Sequence, residues 1–210
     1  MNQQSPEEKE LIALARAGNE TALSKLFDSH RERLKRMILL RMDRRIQPRV
    51  DASDVLQEAY VELASQLANY AKDPKLPFFL WLRRLTAQRL AKTHRFHLGQ
   101  QKRDLARETR IDQRVSNDAS SVYMASQLVG QFTSVAGRVL RREMQTKVQE
   151  VLETLPEADR EIIALKHVEQ MSHAEIATIL EISENAATKR YIRSIRRLRS
   201  ELARIPGMLD

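Results

Sequence analysis

The stretch SHAEIATILEISENAATKRYIRSIRRLRSELA, residues 172–203, decides the fold. Ser172, followed three residues on by Glu175, is a capping box, in which side-chain oxygens take the backbone N–H groups that a helix start leaves without an acceptor. It opens a short helix with Ile176, Ala177, Ile179 and Leu180 facing inward, and small Ala177 lets a second helix cross close by. Glu181-Ile182-Ser183 makes the turn. Ile182 plugs the core, and Ser183 caps a longer helix with Ala187, Tyr191, Ile195, Leu198 and Leu202 on its inner side. Short helix, three-residue turn and long basic helix are the proportions of a helix-turn-helix. Asn185, Ala186, Thr188, Lys189 and Arg193 project from the first turns of its outer face, where recognition residues meet base edges in the major groove. Arg190, Arg196, Arg197 and Arg199 extend the basic surface towards phosphates. An ordinary helical hairpin with a solvated basic face is the plainer reading. Such a surface normally interleaves Glu with its Arg, and here Glu201 comes only at the end.

Working outward, helical periodicity runs back through Ile162, Ile163 and Leu165 to a helix carrying Val139, Met144, Val148, Val151, Leu152 and Leu155, which Pro156 ends. Upstream of it the pattern fades. Residues 99–137 are rich in Gln, Ser, Asp and Arg and read as a partly helical linker, with Val122 to Phe132 as a short amphipathic helix. Residues 1–98 hold four further helices. Ser5-Pro6-Glu7-Glu8 starts the first, which Gly18 ends. Asn19 caps the second, with Leu23, Leu26, Phe27, Leu34, Ile38 and Leu39 inward, to about Arg45. Asp51 with Asp54 opens the third, running to about Tyr70 on a Val55, Ala59, Leu63 stripe. Phe78-Phe79-Leu80-Trp81-Leu82 begins the fourth, densely apolar first and densely basic later. The expected fold is all-α: two small helical domains, 1–98 and 138–210, joined by the linker.

Composition agrees with this. Five glycines, six prolines and 5% aromatic residues in 210 favour helix over sheet. There is no cysteine, so disulfides and thiolate metal sites are excluded. Of the five histidines, His94 and His97 are close together, without a carboxylate cluster, so no metal or cofactor is expected. No apolar run approaches the roughly 20 residues that span a bilayer, and the N-terminus does not read as a signal peptide. A cytoplasmic protein without membrane insertion is the expectation. The net charge of +8 is a weak pointer to a polyanion by itself, but it is organised in blocks. Eight basic and two acidic residues lie between Arg31 and Arg49, nine and two between Arg83 and Arg110, seven and one between Asn185 and Arg204. One-signed blocks in two separate halves suggest two contacts along one long polyanion.

Leu155-Pro-Glu-Ala-Asp-Arg-Glu-Ile-Ile-Ala-Leu, Ser172-His-Ala-Glu-Ile-Ala and Ile182-Ser-Glu-Asn-Ala-Ala-Thr-Lys-Arg together resemble region 4 of the sigma-70 family. The likeness is greatest to its two-domain extracytoplasmic-function (ECF) type. Asp51-Ala-Ser-Asp-Val-Leu-Gln-Glu-Ala-Tyr is similar to that family's region 2.2, and Phe78-Phe79-Leu80-Trp81-Leu82 to the start of region 2.3. The resemblance implies a sigma factor that binds core RNA polymerase and promoter DNA, with an anti-sigma factor as a further partner. In it Asp51, Asp54, Gln57 and Glu58 dock on the polymerase, although Asp51 and Asp54 also favour a helix N-terminus through the macrodipole. The loop from Asn69 to Pro77 and the helix after it engage the minus-ten element, where an unpaired base is held out of the stack. Asn69 and Tyr70 offer hydrogen bonds and a stacking surface there, although Tyr70 reads more readily as a core residue. Phe78, Phe79 and Trp81 can stack on bases too, although their helical spacing favours core packing. Arg83, Arg84, Arg89, Lys92 and Arg95 supply phosphate contacts. The helix-turn-helix reads the minus-thirty-five element.

The sequence departs from the family pattern in three places. Asn185 and Ala186-Ala187 stand where Gly and Thr-Val are frequent, Thr93-His-Arg-Phe-His-Leu-Gly replaces the usual ending of region 2.4, and the linker is long. A conventional helix-turn-helix regulator, acting without being a polymerase subunit, is the alternative; it has no use for the acidic Asp51 to Glu62 face. A recombinase or nuclease needs a nucleophile or carboxylate–metal centre. The acidic residues of the first domain lie along one helix without histidine partners, so no enzyme is expected.

Overall fold

The computed structural model describes residues 5–99, 117–132 and 138–205. Most of these residues are helical, with no strand among them. The helices are α1 (Pro6–Arg16), α2 (Glu20–Arg41), α3 (Ala52–Lys72), α4 (Phe78–Gly99), α5 (Asn117–Phe132), α6 (Arg138–Thr154), α7 (Glu157–Ile163), α8 (His173–Leu180) and α9 (Glu184–Leu202), with a π-helical turn, Ala164–Val168, continuing α7. The chain divides into two compact units. The first holds α1, most of α2, α3 and α4; the second holds the last turn of α2, Leu39–Asp43, and α5 to α9.

In the first unit the helix starts form as their residues require. Ser5 Oγ accepts from Glu8 N at 3.0 Å, and Asn19 Oδ1 from Ala22 N at 3.0 Å. Gly18, at φ +93°, takes the left-handed step that ends α1, a conformation glycine adopts without a Cβ penalty. The core is built from Leu26, Phe27, Leu34 and Met37 of α2, Val55, Leu56, Ala59 and Leu63 of α3, and Phe78, Leu80, Leu82 and Leu90 of α4. Phe27 meets Tyr60 edge-on at 5.2 Å between centroids, joining α2 to α3. Arg33 sits over the Phe79 ring at 3.5 Å, joining α2 to α4, and such a cation–π contact contributes about 0.5–2 kcal/mol.

In the second unit Met124, Ala125, Leu128 and Val129 of α5 pack with Val148, Val151, Leu152 and Leu155 around Ile163, Ala164 and Val168. α5 lies inside the 99–137 stretch read as linker. Met124, Ala125, Leu128 and Val129 are core, so that stretch is more than a connection; residues 100–116 and 133–137 lie outside the described residues. Where Pro156 halts α6, the buried Arg160 guanidinium donates to Leu155 O at 2.6 Å and to Glu153 O at 3.2 Å. A side chain thus satisfies carbonyls that the helix end leaves open. Arg41 is buried beside Glu169 and 2.7 Å from Glu161 Oε1, and Ser120 Oγ donates to Leu40 O at 2.7 Å.

Candidate nucleic-acid interface

The helix-turn-helix forms by local chemistry. Ser172 Oγ accepts from Glu175 N at 3.1 Å while Glu175 Oε2 accepts from Ser172 N at 2.8 Å, a complete capping box. Glu181 adopts the left-handed conformation at φ 54°, ψ 42°, which turns the chain, and Ile182 N donates back to Ala177 O at 3.0 Å. Ser183 Oγ then accepts from Ala186 N at 3.2 Å to start α9. Ile176 and Ala177 of α8 and Ala187 and Leu198 of α9 are buried, with Ile182, Tyr191, Ile195 and Leu202 half-buried.

One member of the inner face was not foreseen. Ser194 is buried, its Oγ 2.7 Å from Asp159 Oδ1 and 2.9 Å from Arg190 O, and Asp159 also pairs with Arg197. A serine in a basic run gives no periodic signal, so this polar link from α7 to α9 is invisible in the sequence. Of the expected DNA-facing residues, Asn185, Lys189, Arg193, Arg196 and Arg197 are exposed and Ala186, Thr188 and Arg190 half-buried. Asn185, Lys189, Arg193 and Arg196 share the side of α9 turned away from Ala187 and Leu198, and the other four flank it. Arg197 is additionally held by Asp159.

In the first unit, Asp51 Oδ1 accepts from Ser53 N at 2.6 Å and Asp54 N at 3.0 Å, and Asp54 Oδ2 from Asp51 N at 2.9 Å. This uses one oxygen of each carboxylate. Asp51, Asp54, Gln57 and Glu58 are all exposed. Beside them α2 and α3 form an open groove lined by Ser24, Phe27, Asp28, Arg31, Tyr60 and Val61, the last 66% exposed.

The loop between α3 and α4 frames an open pocket of about 470 Å³, within the roughly 300–1,000 Å³ of small-ligand sites. Asn69, Tyr70, Trp81 and Arg84 line it together with Gln66 and Lys75. Tyr70 is 6% exposed. Its OH donates to Leu76 O at 2.9 Å, and its ring stacks on Trp81 at 4.4 Å between centroids. Tyr70 is therefore core in this structure, with a ring face taken by Trp81. Gln66 went unremarked, although it precedes Asn69 and Tyr70 by three and four residues on one helix face.

The five cations assigned to phosphates separate. Arg84, Lys92 and Arg95 are exposed, and Arg89 is half-buried in an ion pair with Glu62. Arg83 is 1% exposed, and this corrects its reading: a guanidinium sealed among core side chains cannot reach a phosphate on the surface. Its helical position, between Leu82 and Arg84 on a helix buried around most of its first turns, sets that outcome.

Residues 145–198, which span the helix-turn-helix, match the family model for sigma-70, region 4. The chain is similar to the RNA polymerase sigma-H factor of Pseudomonas aeruginosa, 23% identical over 188 residues, 90% of each chain. It is also similar to the ECF RNA polymerase sigma factor SigD of Mycobacterium tuberculosis, 27% identical over 192 residues, 91% of this chain and 82% of that one. In fold it resembles CnrH, solved in complex with the cytosolic domain of CnrY, with a TM-score of 0.56 and 22% identity over 95% of this chain and 99% of that one. The chain thus carries a sigma-70 region 4 within a body similar over nine-tenths of its length to sigma factors. It is a sigma factor of the ECF type, and its function is to direct transcription initiation. None of its described helices is long and apolar enough to cross a membrane.

Proposed function

We propose that the two units divide promoter recognition. The second reads duplex DNA at the minus-thirty-five element with the Asn185 to Arg193 face of α9, while Arg196 and Arg197 hold phosphates. The first holds core RNA polymerase through Asp51, Asp54, Gln57 and Glu58, with Val61 as an apolar centre to that polar set. It captures one strand of the opening bubble in the pocket between Asn69, Trp81 and Arg84. The pocket carries this reading most directly: a hydrogen-bonding amide, an aromatic wall and a guanidinium converge on a space of ligand size, the groups an unstacked base and its phosphate need. Sigma factors are generally non-enzymatic, and here too the chemistry of RNA synthesis is left to the polymerase. The work is cytoplasmic, where the polymerase and its promoters are. An anti-sigma factor is a fitting regulator, as CnrH is bound by the cytosolic domain of CnrY in the structure this fold resembles.

Run-off transcription with purified core polymerase, with and without the protein, on a promoter library tests the reading. A promoter-dependent transcript and co-purification with core are the expected results. If both are missing while the protein binds an operator unaided, a conventional helix-turn-helix regulator is the better account. With the expected transcript in hand, Asn69→Ala should slow promoter opening while leaving binding to core unchanged.

A further inference from the structure

α4 contains five Lys and Arg residues and no acidic residue, and the pocket at its start uses only Arg84. Further along, Leu85, Gln88, Arg89, Lys92 and Arg95 line a second open groove of about 370 Å³, bounded on the α3 side by Glu62. Steps of three and four residues place these side chains on one helix face. The next position on that face is Phe96, four residues after Lys92. It is 66% exposed, and it is the one exposed aromatic among the described side chains. Its ring meets only the edge of its neighbour His97, 5.0 Å between centroids, in the ring contacts it makes.

We propose that Phe96 is a promoter contact that packs against the apolar surface of paired DNA, the thymine methyls and deoxyriboses, while Lys92 and Arg95 hold the phosphates beside it. The proposal rests on the assignment of α4 to the minus-ten side. Charge selects the occupant. Arg89 neutralises Glu62, so the exposed Lys92 and Arg95 leave the groove net positive, and a polyanion is what such a surface attracts. Phenylalanine is among the residues that make apolar contact with a thymine methyl. Distance sets the place: from Trp81 to Phe96 the helix rises roughly 22 Å at about 1.5 Å per residue. That is six to seven base pairs at roughly 3.4 Å each, so the ring would meet the promoter well away from a base held in the first pocket.

The test uses holoenzyme assembled from core polymerase and wild type, Phe96→Ala, Phe96→Trp or Arg95→Ala protein, bound to a labelled promoter across a salt series. Phe96→Ala should lower promoter affinity roughly tenfold, the order expected for taking an aromatic side chain back out of an apolar contact, with the thermal midpoint, core binding and log–log salt slope unchanged, because the side chain is exposed and carries no charge. Phe96→Trp should restore affinity. Arg95→Ala should reduce the salt slope by about 0.9. Promoter affinity of Phe96→Ala within about twofold of wild type, with Arg95→Ala still weakened, overturns the Phe96 contact and leaves α4 on the promoter. Loss of core binding in Phe96→Ala instead makes the ring a protein contact and also overturns it. If neither variant changes promoter binding by a holoenzyme active in run-off transcription, α4 does not hold the promoter, and its assignment falls together with the proposal.

Discussion

α4 and α9 are both basic helices, 22 and 19 residues long, and they are built in opposite ways. α9 buries only Ala187, Ser194 and Leu198 and leaves Arg193, Arg196, Arg197 and Arg199 exposed. α4 buries Phe78, Phe79, Leu80, Leu82, Arg83, Leu85, Thr86, Ala87 and Leu90, so through its first three turns it is covered on most sides. On a surface helix, charge and exposure go together, and the pattern of charges identifies the binding face. On a helix enclosed by its neighbours, a charged residue can be part of the core, and only packing says which one.

The sharpest way to break this contrast is a pair of arginine deletions. Arg83→Ala should destabilise the first unit by about 3 kcal/mol or more, because it opens a cavity and strands whatever the buried guanidinium satisfied. Arg196→Ala should leave stability within about 0.5 kcal/mol and weaken all promoters similarly, with a salt slope shallower by about 0.9. Urea denaturation and a salt series on the two variants measure both quantities. An Arg83→Ala protein as stable as wild type but defective on DNA would return Arg83 to the phosphates.

The polar link under α9 comes next in size. Asp159→Ala removes the acceptor of buried Ser194 and the partner of Arg197, and should cost about 1–3 kcal/mol. Ser194→Ala should lose less, since Asp159 keeps Arg197, and the double variant should show coupling. Additive losses would mean that the two side chains act independently. The cap at the start of α9 is smaller: Ser183→Ala should cost about 1 kcal/mol in thermal or urea unfolding. Lys189→Ala should instead change relative preference among minus-thirty-five variants, by about 1–3 kcal/mol at the base it reads.

Most of the helix plan was legible because its signals are local. Ser5, Asn19, Asp51, Ser172 and Ser183 mark helix starts by the side-chain acceptor each provides, and apolar stripes mark the inner faces. What was not legible depends on long-range packing. The burial of Arg83 follows from how α4 packs into the first unit, and α5 becomes core only because α6 and the π-helical turn meet it. Glu181 occupies a left-handed position without the glycine that would have announced it. The outward face of α9 was readable residue by residue. The pocket at the start of α4 was readable only as a neighbourhood, since Asn69, Trp81 and Arg84 come together through a loop.

The smallest expected effect also lies under α9, where His167 Nε2 is 3.0 Å from Tyr191 OH. Burial, with a smaller contribution from the Lys166 charge, holds the His167 imidazole below its ordinary pKa. The folded protein therefore favours neutral His167, while the unfolded chain titrates near the ordinary value of about 6.5. Between those two values the unfolded state holds more protons, so stability rises with pH. The contribution is fully present above about 6.5 and is lost as pH falls through the lower, folded value. Thermal midpoints measured from neutral to acidic pH should thus fall more steeply for wild type than for His167→Gln, whose other groups titrate in the same way. Parallel curves would show that His167 accommodates its proton without disturbing Tyr191. The seat of α9 would then tolerate a charge that the enclosed part of α4 already carries in Arg83.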